Sequence, residues 1–248
     1  MKEINIDEKK LKSLKVIDKS DNQEIKSNLF SMPWRVIIIS RSGGGKSSRL
    51  TNLLCNENYG YSKMVQPENT YIFCPNIRGD EKLMHIKKYH DIPDNNIYTD
   101  SEKLDEDDLD HVYTGLKDEY MQDNDRRGMI IIDDYSSTQV FAKRNNVLSK
   151  IYSNCRKFQI SVITLAQYYF DLNPSIRMNA NIILIGQTSN KNLEQLAREH
   201  NYLLGNDADF KKMFRSNVKE VFDFFCINYT NKYDCLYLDS DYKPITHI

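Results

Sequence analysis

The feature that most constrains the fold is a glycine-rich loop between a strand-like and a helix-like segment, VIIISRSGGGKSSRL at residues 36–50. Gly43, Gly44 and Gly45 let backbone N–H groups turn toward an anion, because glycine adopts positive φ without a Cβ clash. A helix beginning near Lys46 points the positive end of its dipole at the same anion. This pattern predicts a phosphate-binding loop. The alternative is a chance glycine-rich turn, which the flanking strand and helix patterns disfavour.

The side chains of the loop predict that its ligand is ATP with Mg²⁺. Lys46 can reach the β- and γ-phosphates, and the hydroxyl of Ser47 can ligate the metal ion. One position departs from the pattern G-x-x-x-x-G-K-[ST], because Ser40 stands where the first glycine is expected. Serine is expected to make this turn at some strain, so we interpret the loop as a variant and not as a dead site. The predicted nucleotide-binding residues are Ser42, Gly43, Gly44, Gly45, Lys46, Ser47 and Ser48.

Length and composition set the broad class of the protein. A chain of 248 residues with 40% hydrophobic residues can build one large domain or a core with small additions. The formal net charge is -1, so any contact with nucleic acid must come from a local patch or from several subunits together. Five scattered cysteines without metal-ligand spacing predict a reduced, intracellular protein. The apolar runs are short, so no membrane span is predicted.

The chain divides into a polar N-terminal arm (residues 1–28), a predicted core (29–240) and a short tail (241–248). Within the core, strand-like and helix-like patterns alternate. The predicted strands are 34–40, 70–74, 96–99, 129–132, 160–165 and 181–185. The predicted helices are 46–56, 101–120, 139–154, 193–201 and 208–214. This order predicts an α/β fold, namely a RecA-like P-loop NTPase core with a mostly parallel sheet flanked by helices. Residues 222–238 predict a C-terminal β-hairpin.

A second motif supplies the carboxylates that such a loop requires. The apolar strand at residues 129–132 delivers Asp133 and Asp134 at its carboxyl end, where ligands bind in open α/β sheets. Asp133 is predicted to hold Mg²⁺, through water, in the manner of a Walker B aspartate. Asp134 then stands where a carboxylate orients or deprotonates the attacking water. The alternative is that the two aspartates only begin a turn.

Three further residues complete the predicted catalytic set. Gln167 follows the strand at 160–165, where its amide can contact both the water and the γ-phosphate. The alternative is that Gln167 only caps the next segment. Charge on the transferring phosphoryl group also calls for an arginine. Arg156 is the first candidate and Arg177 the second, and either is equally compatible with a surface salt bridge.

With these motifs in order, the chain resembles the viral DNA-packaging ATPases of the HerA–FtsK group, in the poxvirus-type branch of large DNA viruses, virophages and related elements. The resemblance covers about residues 29–187. It is carried by MPWR at 32–35, the phosphate loop, the strand that ends in Asp133 and Asp134, Arg156, Gln167 and NPSIRMN at 173–179.

The resemblance implies a homo-oligomeric ring, a pentamer or hexamer, that hydrolyses ATP between subunits and drives double-stranded DNA into a preformed capsid. Arg156 would then act on the γ-phosphate of a neighbouring subunit. Capsid or portal-vertex proteins would be partners. The expected location is intracellular, in the host cytoplasm or virus factory, with association with the virion as a further option.

The same sequence contains features that bear on other functions. Residues 231–234 spell NKxD, the guanine-reading motif of GTPases, but they lie in a predicted hairpin turn and no helix follows. A nucleotide kinase needs arginines in a lid and an acceptor pocket, which cannot be located. A non-hydrolysing scaffold conflicts with the intact Lys46, Ser47, Asp133 and Asp134. Another HerA–FtsK-type translocase or helicase-like ATPase shares every site residue and stays open.

Overall fold

The computed structural model describes residues 29–99, 104–135, 146–202, 205–230 and 236–245. In these residues one sheet has the strand order β3-β2-β4-β5-β1-β6-β7-β8. The strands are β1 (Arg35–Ile39), β2 (Thr70–Phe73), β3 (Ile97–Tyr98), β4 (Gly128–Ile132), β5 (Ile160–Ala166), β6 (Ile182–Ile185), β7 (Phe225–Asn228) and β8 (Tyr237–Leu238).

Helices follow most of these strands. They are α1 (Lys46–Cys55), α2 (Glu81–Tyr89), α3 (Glu106–Gln122), α4 (Val147–Asn154), α5 (Pro174–Asn179), α6 (Asn190–His200) and α7 (Asp207–Asn217). Short 3₁₀ turns lie at Glu57–Tyr59, Tyr61–Lys63, Pro67–Asn69, Ile77–Gly79, Asp94–Asn96, Cys155–Phe158 and Tyr169–Asp171.

The sheet is parallel over its first six strands and antiparallel at its far edge. β1 pairs in parallel with β5 and β6, and β4 pairs in parallel with β5 and β2. β7 runs antiparallel to β6, and β8 runs antiparallel to β7. The predicted mostly parallel sheet and C-terminal hairpin are therefore confirmed. Residues 231–235, which include the NKxD motif, lie outside the described residues.

Both faces of the central strands are covered, which explains why these strands are apolar throughout. Side chains alternate between the faces of a strand. Ile37 and Ile39 of β1 belong to a core that includes residues of α3 to α7. Val36 and Ile38 belong to a second core with Trp34 and residues of α1 and α2. The central strands therefore hold two cores apart, and their carboxyl ends form one edge of the molecule.

Two helices in the structure were not predicted from the sequence. α2 buries only Leu83 and Ile86, and α5 is a short helix that begins at Pro174. The predicted helix at 139–154 begins only at Val147, because Asn146 is extended and its side chain caps the helix by accepting from the amide of Ser149. Residues 136–145 are outside the described part of the chain. Residues 1–28 are outside it too, so the domain boundaries stay predictions. No helix in the described ranges is long and apolar enough to cross a membrane.

Candidate nucleotide-binding site

The glycine-rich loop joins the carboxyl end of β1 to α1. Gly43 has φ of 72° and Gly45 has φ of 85°, and Gly45 is the residue immediately before the first helical residue, Lys46. The first amides of a helix have no partner within the helix, so the start of α1 presents N–H groups toward an anion. Nζ of Lys46 donates a hydrogen bond to the carbonyl oxygen of Ser40 at 3.2 Å. The loop therefore holds its lysine over its own backbone.

The serine that replaces the first glycine fits the loop without backbone strain. Ser40 is fully buried, and it is not among the positive-φ residues found in the described part of the chain. The expected strain is therefore wrong. Its Oγ donates to the carbonyl oxygen of Gly44 at 3.3 Å, and a Cβ added to Gly44 would lie 2.0 Å from that Oγ. The serine hydroxyl thus occupies the space that a Cβ atom of residue 44 would need, so glycine fits at this position.

The two aspartates after β4 differ in environment. Asp133 is buried, and its Oδ2 lies 3.4 Å from Oγ of Ser47. Burial raises the pKa of Asp133 to about 6, while the positive charge of Lys46 acts in the opposite direction. Asp134 is exposed and has φ of 61°, a left-handed conformation that aspartate tolerates better than most residues. The sequence thus places one protected and one accessible carboxylate beside the loop.

A third carboxylate reaches the same place, and sequence reasoning missed it. Oγ of Ser47 donates to Oδ2 of Asp80 at 2.8 Å. The other carboxylate oxygen, Oδ1, accepts from the amides of Lys82 and Leu83 at 2.8 and 3.1 Å and so caps α2. The available signal was an aspartate in an N-cap position before an acidic first turn. Asp80 therefore ties the start of α2 to the phosphate loop.

The oxygen atoms around Ser47 suit a hard divalent cation. Ser47 and Asp133 are the predicted ligands, and Asp80 adds a further carboxylate beside them. The described residues contain no group of three or more acidic, histidine or cysteine side chains that could hold a metal by themselves. A Mg²⁺ ion here would be coordinated by the serine hydroxyl and by phosphate oxygens in addition to carboxylate oxygens. When bound, it would neutralise charge on those phosphates.

One cleft of about 340 Å³ collects most of the predicted site residues. Its lining includes Ser42, Gly43, Lys46, Ser47, Asp133, Asp134 and Gln167, together with Cys74, Asn76, Gly79, Asp80 and Leu165. Gly44, Gly45 and Ser48 belong to the adjoining loop and the first turn of α1. Burial lowers the pKa of Lys46, and the charges of Asp133, Asp134 and Asp80 oppose that shift. The cleft thus combines one lysine with three carboxylates.

The sequence profile described as Poxvirus A32 protein matches residues 22–227, which include every predicted site residue. The chain belongs to this family. The resemblance to poxvirus-type packaging ATPases is thereby confirmed at the level of the family. No curated protein sequence matches the chain.

Solved structures show the same fold as this A32-family protein. One is B204, the DNA-packaging ATPase from Sulfolobus turreted icosahedral virus, at 17% identity and a TM-score of 0.57. Another is the genome packaging NTPase B204 from Sulfolobus turreted icosahedral virus 2 in complex with ATP-gammaS, at 14% identity and a TM-score of 0.57. Each alignment covers 85% of this chain and 97% of the other.

The two predicted arginines of the A32-family chain lie away from the phosphate cleft. Arg156 precedes β5 and Arg177 precedes β6, so both are near the amino ends of strands whose carboxyl ends form the site. With Arg35 at the start of β1, they line a separate cavity of about 690 Å³. The structure therefore does not bring either arginine to the phosphate cleft.

The guanidinium of Arg177 is already engaged within the fold. Its Nη2 lies 2.8 Å from Oε1 of Glu199, its Nε donates to Oε2 of Glu199 at 3.2 Å, and its Nη1 donates to the carbonyl oxygen of Leu172 at 2.7 Å. It also lies over the ring of Tyr169, and the residue is only 9% exposed. We assign Arg177 a structural role. Arg156 is half-buried and stays the predicted catalytic arginine.

Proposed function

We propose that this protein is an ATP-hydrolysing motor that moves double-stranded DNA into a viral capsid as a ring of identical subunits. The observation that carries the proposal is the single cleft in which Lys46 and Ser47 face Asp133, Asp134 and Gln167. Membership of the poxvirus A32 family and a fold shared with genome packaging NTPases support an ATPase of genome packaging.

The residues of the cleft have separate roles in the proposed phosphoryl transfer. Lys46 and the amides of the loop would hold the phosphates, and Ser47 and Asp133 would hold Mg²⁺. Asp134 is exposed to the cleft and is the group that orients or deprotonates the attacking water. Gln167, at the carboxyl end of β5, contacts the water and the γ-phosphate. Together these groups position a water in line with the bond that breaks.

The position of Arg156 supports a ring over a monomer. No arginine lines the cleft among the described residues, whereas Arg156 faces a cavity at the other edge of the sheet. A head-to-tail contact joins two different surfaces of identical subunits and closes into a ring when the rotation allows. Such a contact would bring Arg156 of one subunit to the γ-phosphate held by the next. Hydrolysis would then depend on assembly.

The proposed partners are double-stranded DNA and the proteins of the capsid or portal vertex, in the host cytoplasm or virus factory. Another DNA translocase of the HerA–FtsK group would use the same cleft, so the decisive experiment must test DNA uptake and not only hydrolysis. The NKxD motif at residues 231–234 lies outside the described residues. We propose ATP, and not GTP, as the substrate.

The experiment follows DNA movement in two steps. A linear duplex that carries a triplex-forming strand is mixed with the protein and ATP, and release of that strand is followed by gel shift. The proposal predicts release with ATP, none with ATP-γ-S and none with Lys46→Ala. Addition of empty capsids should then protect the duplex from nuclease. Release without protection would favour a translocase of another purpose, and hydrolysis without release would contradict a DNA motor.

A further inference from the structure

A large aromatic side chain lies exposed against the phosphate loop, and the chemistry described above gives it no role. Phe222 is 64% exposed, although phenylalanine is usually buried. A Cβ added to Gly45 would come within 2.7 Å of Cδ1 and 3.3 Å of Cε1 of Phe222. The edge of the ring therefore lies against Gly45, the residue immediately before α1.

The backbone that carries Phe222 is fastened to α1. Nη2 of Arg49 donates to the carbonyl oxygen of Phe222 at 3.2 Å, and Nη1 of Arg49 donates to that of Ser240 at 2.8 Å. Oδ2 of Asp223 accepts from the amides of Lys219 and Glu220 at 3.0 and 2.8 Å and closes the turn that precedes β7. The ring is thus held beside the loop by a built turn and not by its own packing.

The order of strands decides which end of a nucleotide Phe222 faces. β5 and β4 lie on one side of β1 and carry Gln167, Asp133 and Asp134, so the γ-phosphate must face that side. β6 and β7 lie on the other side, and Phe222 stands shortly before β7. The ribose and base are at the opposite end of the molecule from the γ-phosphate. The base therefore leaves the loop on the side where Phe222 lies.

We propose that Phe222 is the residue on which the purine base of the nucleotide stacks. The inference rests on the proposed function, because it takes the phosphate loop as the place where the phosphates bind. Stacking on an aromatic ring uses the π-face that every base has, so Phe222 sets affinity for the base and does not choose between ATP and GTP. Gly45 is confined to glycine by its φ of 85°, and a side chain there would also displace the ring of Phe222.

The test separates the base from the phosphates. Binding of ADP and of inorganic tripolyphosphate, each with MgCl₂, is measured by calorimetry for the wild type and for Phe222→Ala. We expect the variant to bind ADP about tenfold more weakly, near the lower end of the range for a base on an aromatic side chain, with tripolyphosphate unchanged. Phe222→Tyr should bind ADP like the wild type, and Phe222→Leu should not.

A matched control is Tyr89→Ala, which truncates another exposed aromatic side chain at the far end of α2. It should leave both affinities unchanged. Equal ADP affinity in Phe222→Ala and wild type would overturn the inference, and so would equal weakening of ADP and tripolyphosphate, since that pattern means support of the loop. A wild type that binds neither ligand would instead remove the proposed function itself.

A spectroscopic arm reports proximity directly. Trp34 is the single tryptophan of the chain and is fully buried, so Phe222→Trp adds one exposed indole at the site. ADP should quench the emission of this variant, and tripolyphosphate should leave it unchanged. The wild-type emission should not respond to either ligand. Absence of an ADP-specific change in a variant that binds ADP would contradict stacking at this position.

Discussion

Asp134 is the residue that we propose orients or deprotonates the attacking water. It is exposed in the cleft, beside the buried Asp133. Asp134→Asn keeps the size of the side chain and removes its charge. We expect ATP-γ-S affinity within about threefold of wild type and a loss of turnover of at least about 100-fold, the range of general base catalysis. Calorimetry and steady-state kinetics check the two parts, and normal turnover in this variant would assign water activation elsewhere.

Asp80 links the cleft to the start of α2, and its two oxygens have separable roles. Asp80→Ala removes the acceptor for the amides of Lys82 and Leu83 and should lower the free energy of unfolding by about 1 kcal/mol. Asp80→Asn keeps a capping oxygen and should lose less. Both variants remove the negative charge near Asp133, so the difference between them in urea denaturation reports the cap. An equal loss in both would show that the charge and not the cap is what stabilises α2.

Sequence reasoning located residues that form contiguous motifs, and it located Gln167 because this residue follows a predicted strand. The phosphate loop and the pair Asp133–Asp134 are each contiguous, so their chemistry is visible without knowledge of the fold. Ser47 and Asp80 meet across 33 positions, at the ends of two different elements. Only the order of β2, β4 and β1 in the sheet brings them together. Arg177 shows the reverse case, because its pairing with Glu199 depends on α6 and is invisible in the local motif.

At the scale of elements, the strands were predictable because burial on both faces leaves them almost no polar positions. α2 was not, since only Leu83 and Ile86 in it are buried and its apolar pattern is therefore weak. The helix is held by its Asp80 cap and by its packing on α1, which are tertiary facts. α5 is too short for a periodic signal, and its start is set by Asn173, whose side chain accepts from the amide of Ile176.

A buried histidine at the end of α6 should make the stability of the protein depend on pH. His200 is buried there, with Nε2 2.6 Å from the hydroxyl of Tyr169 and Nδ1 2.6 Å from that of Tyr229. Burial lowers the pKa of His200 to about 4, below its value of about 6.5 in an unfolded chain. When folding lowers the pKa of a histidine, the folded state keeps its full stability above the pKa of the unfolded chain. That stability is lost as the pH falls toward the pKa of the folded state.

We therefore expect His200 alone to lower the free energy of unfolding by about 3 kcal/mol when the pH falls from 7 to 4. The measurement is denaturant unfolding of wild type and His200→Gln at both pH values. The variant should be less stable at pH 7, and the difference between the two proteins should shrink by that amount at pH 4. A difference that does not change with pH would mean that the imidazole is not kept neutral by the fold.

At the scale of the whole molecule, the sheet separates two kinds of site. The carboxyl ends of the strands carry the phosphate cleft, and the amino ends carry the cavity lined by Arg35 and Arg156. Subunits that contribute one site from each edge to a shared interface would couple hydrolysis to assembly. The sequence alone predicted the participants through family resemblance. Because Arg156 precedes and Gln167 follows the predicted strand at 160–165, the sequence also predicted that they lie at opposite ends of one strand, and β5 lies between them in the structure. The sequence did not show the two separate cavities, because their walls come from other strands and helices.

Mixed assemblies test this arrangement. Arg156→Ala subunits are added to wild-type subunits at fixed total concentration, and ATP hydrolysis is followed as the fraction of variant rises. Because each variant subunit would disable the site of its neighbour, activity should fall out of proportion to that fraction. Arg177→Ala serves for comparison, since its effect should be loss of stability through the broken pair with Glu199. A strictly linear fall with Arg156→Ala would contradict action across subunits.

The most direct test of the central claim is steady-state ATP hydrolysis by the purified protein, with and without linear double-stranded DNA. GTP is measured in parallel, and Lys46→Ala is the control for the site. The account predicts hydrolysis that DNA stimulates severalfold, a preference for ATP and no turnover in Lys46→Ala. Turnover that is indifferent to DNA, or that survives in Lys46→Ala, would contradict a DNA motor driven from this cleft.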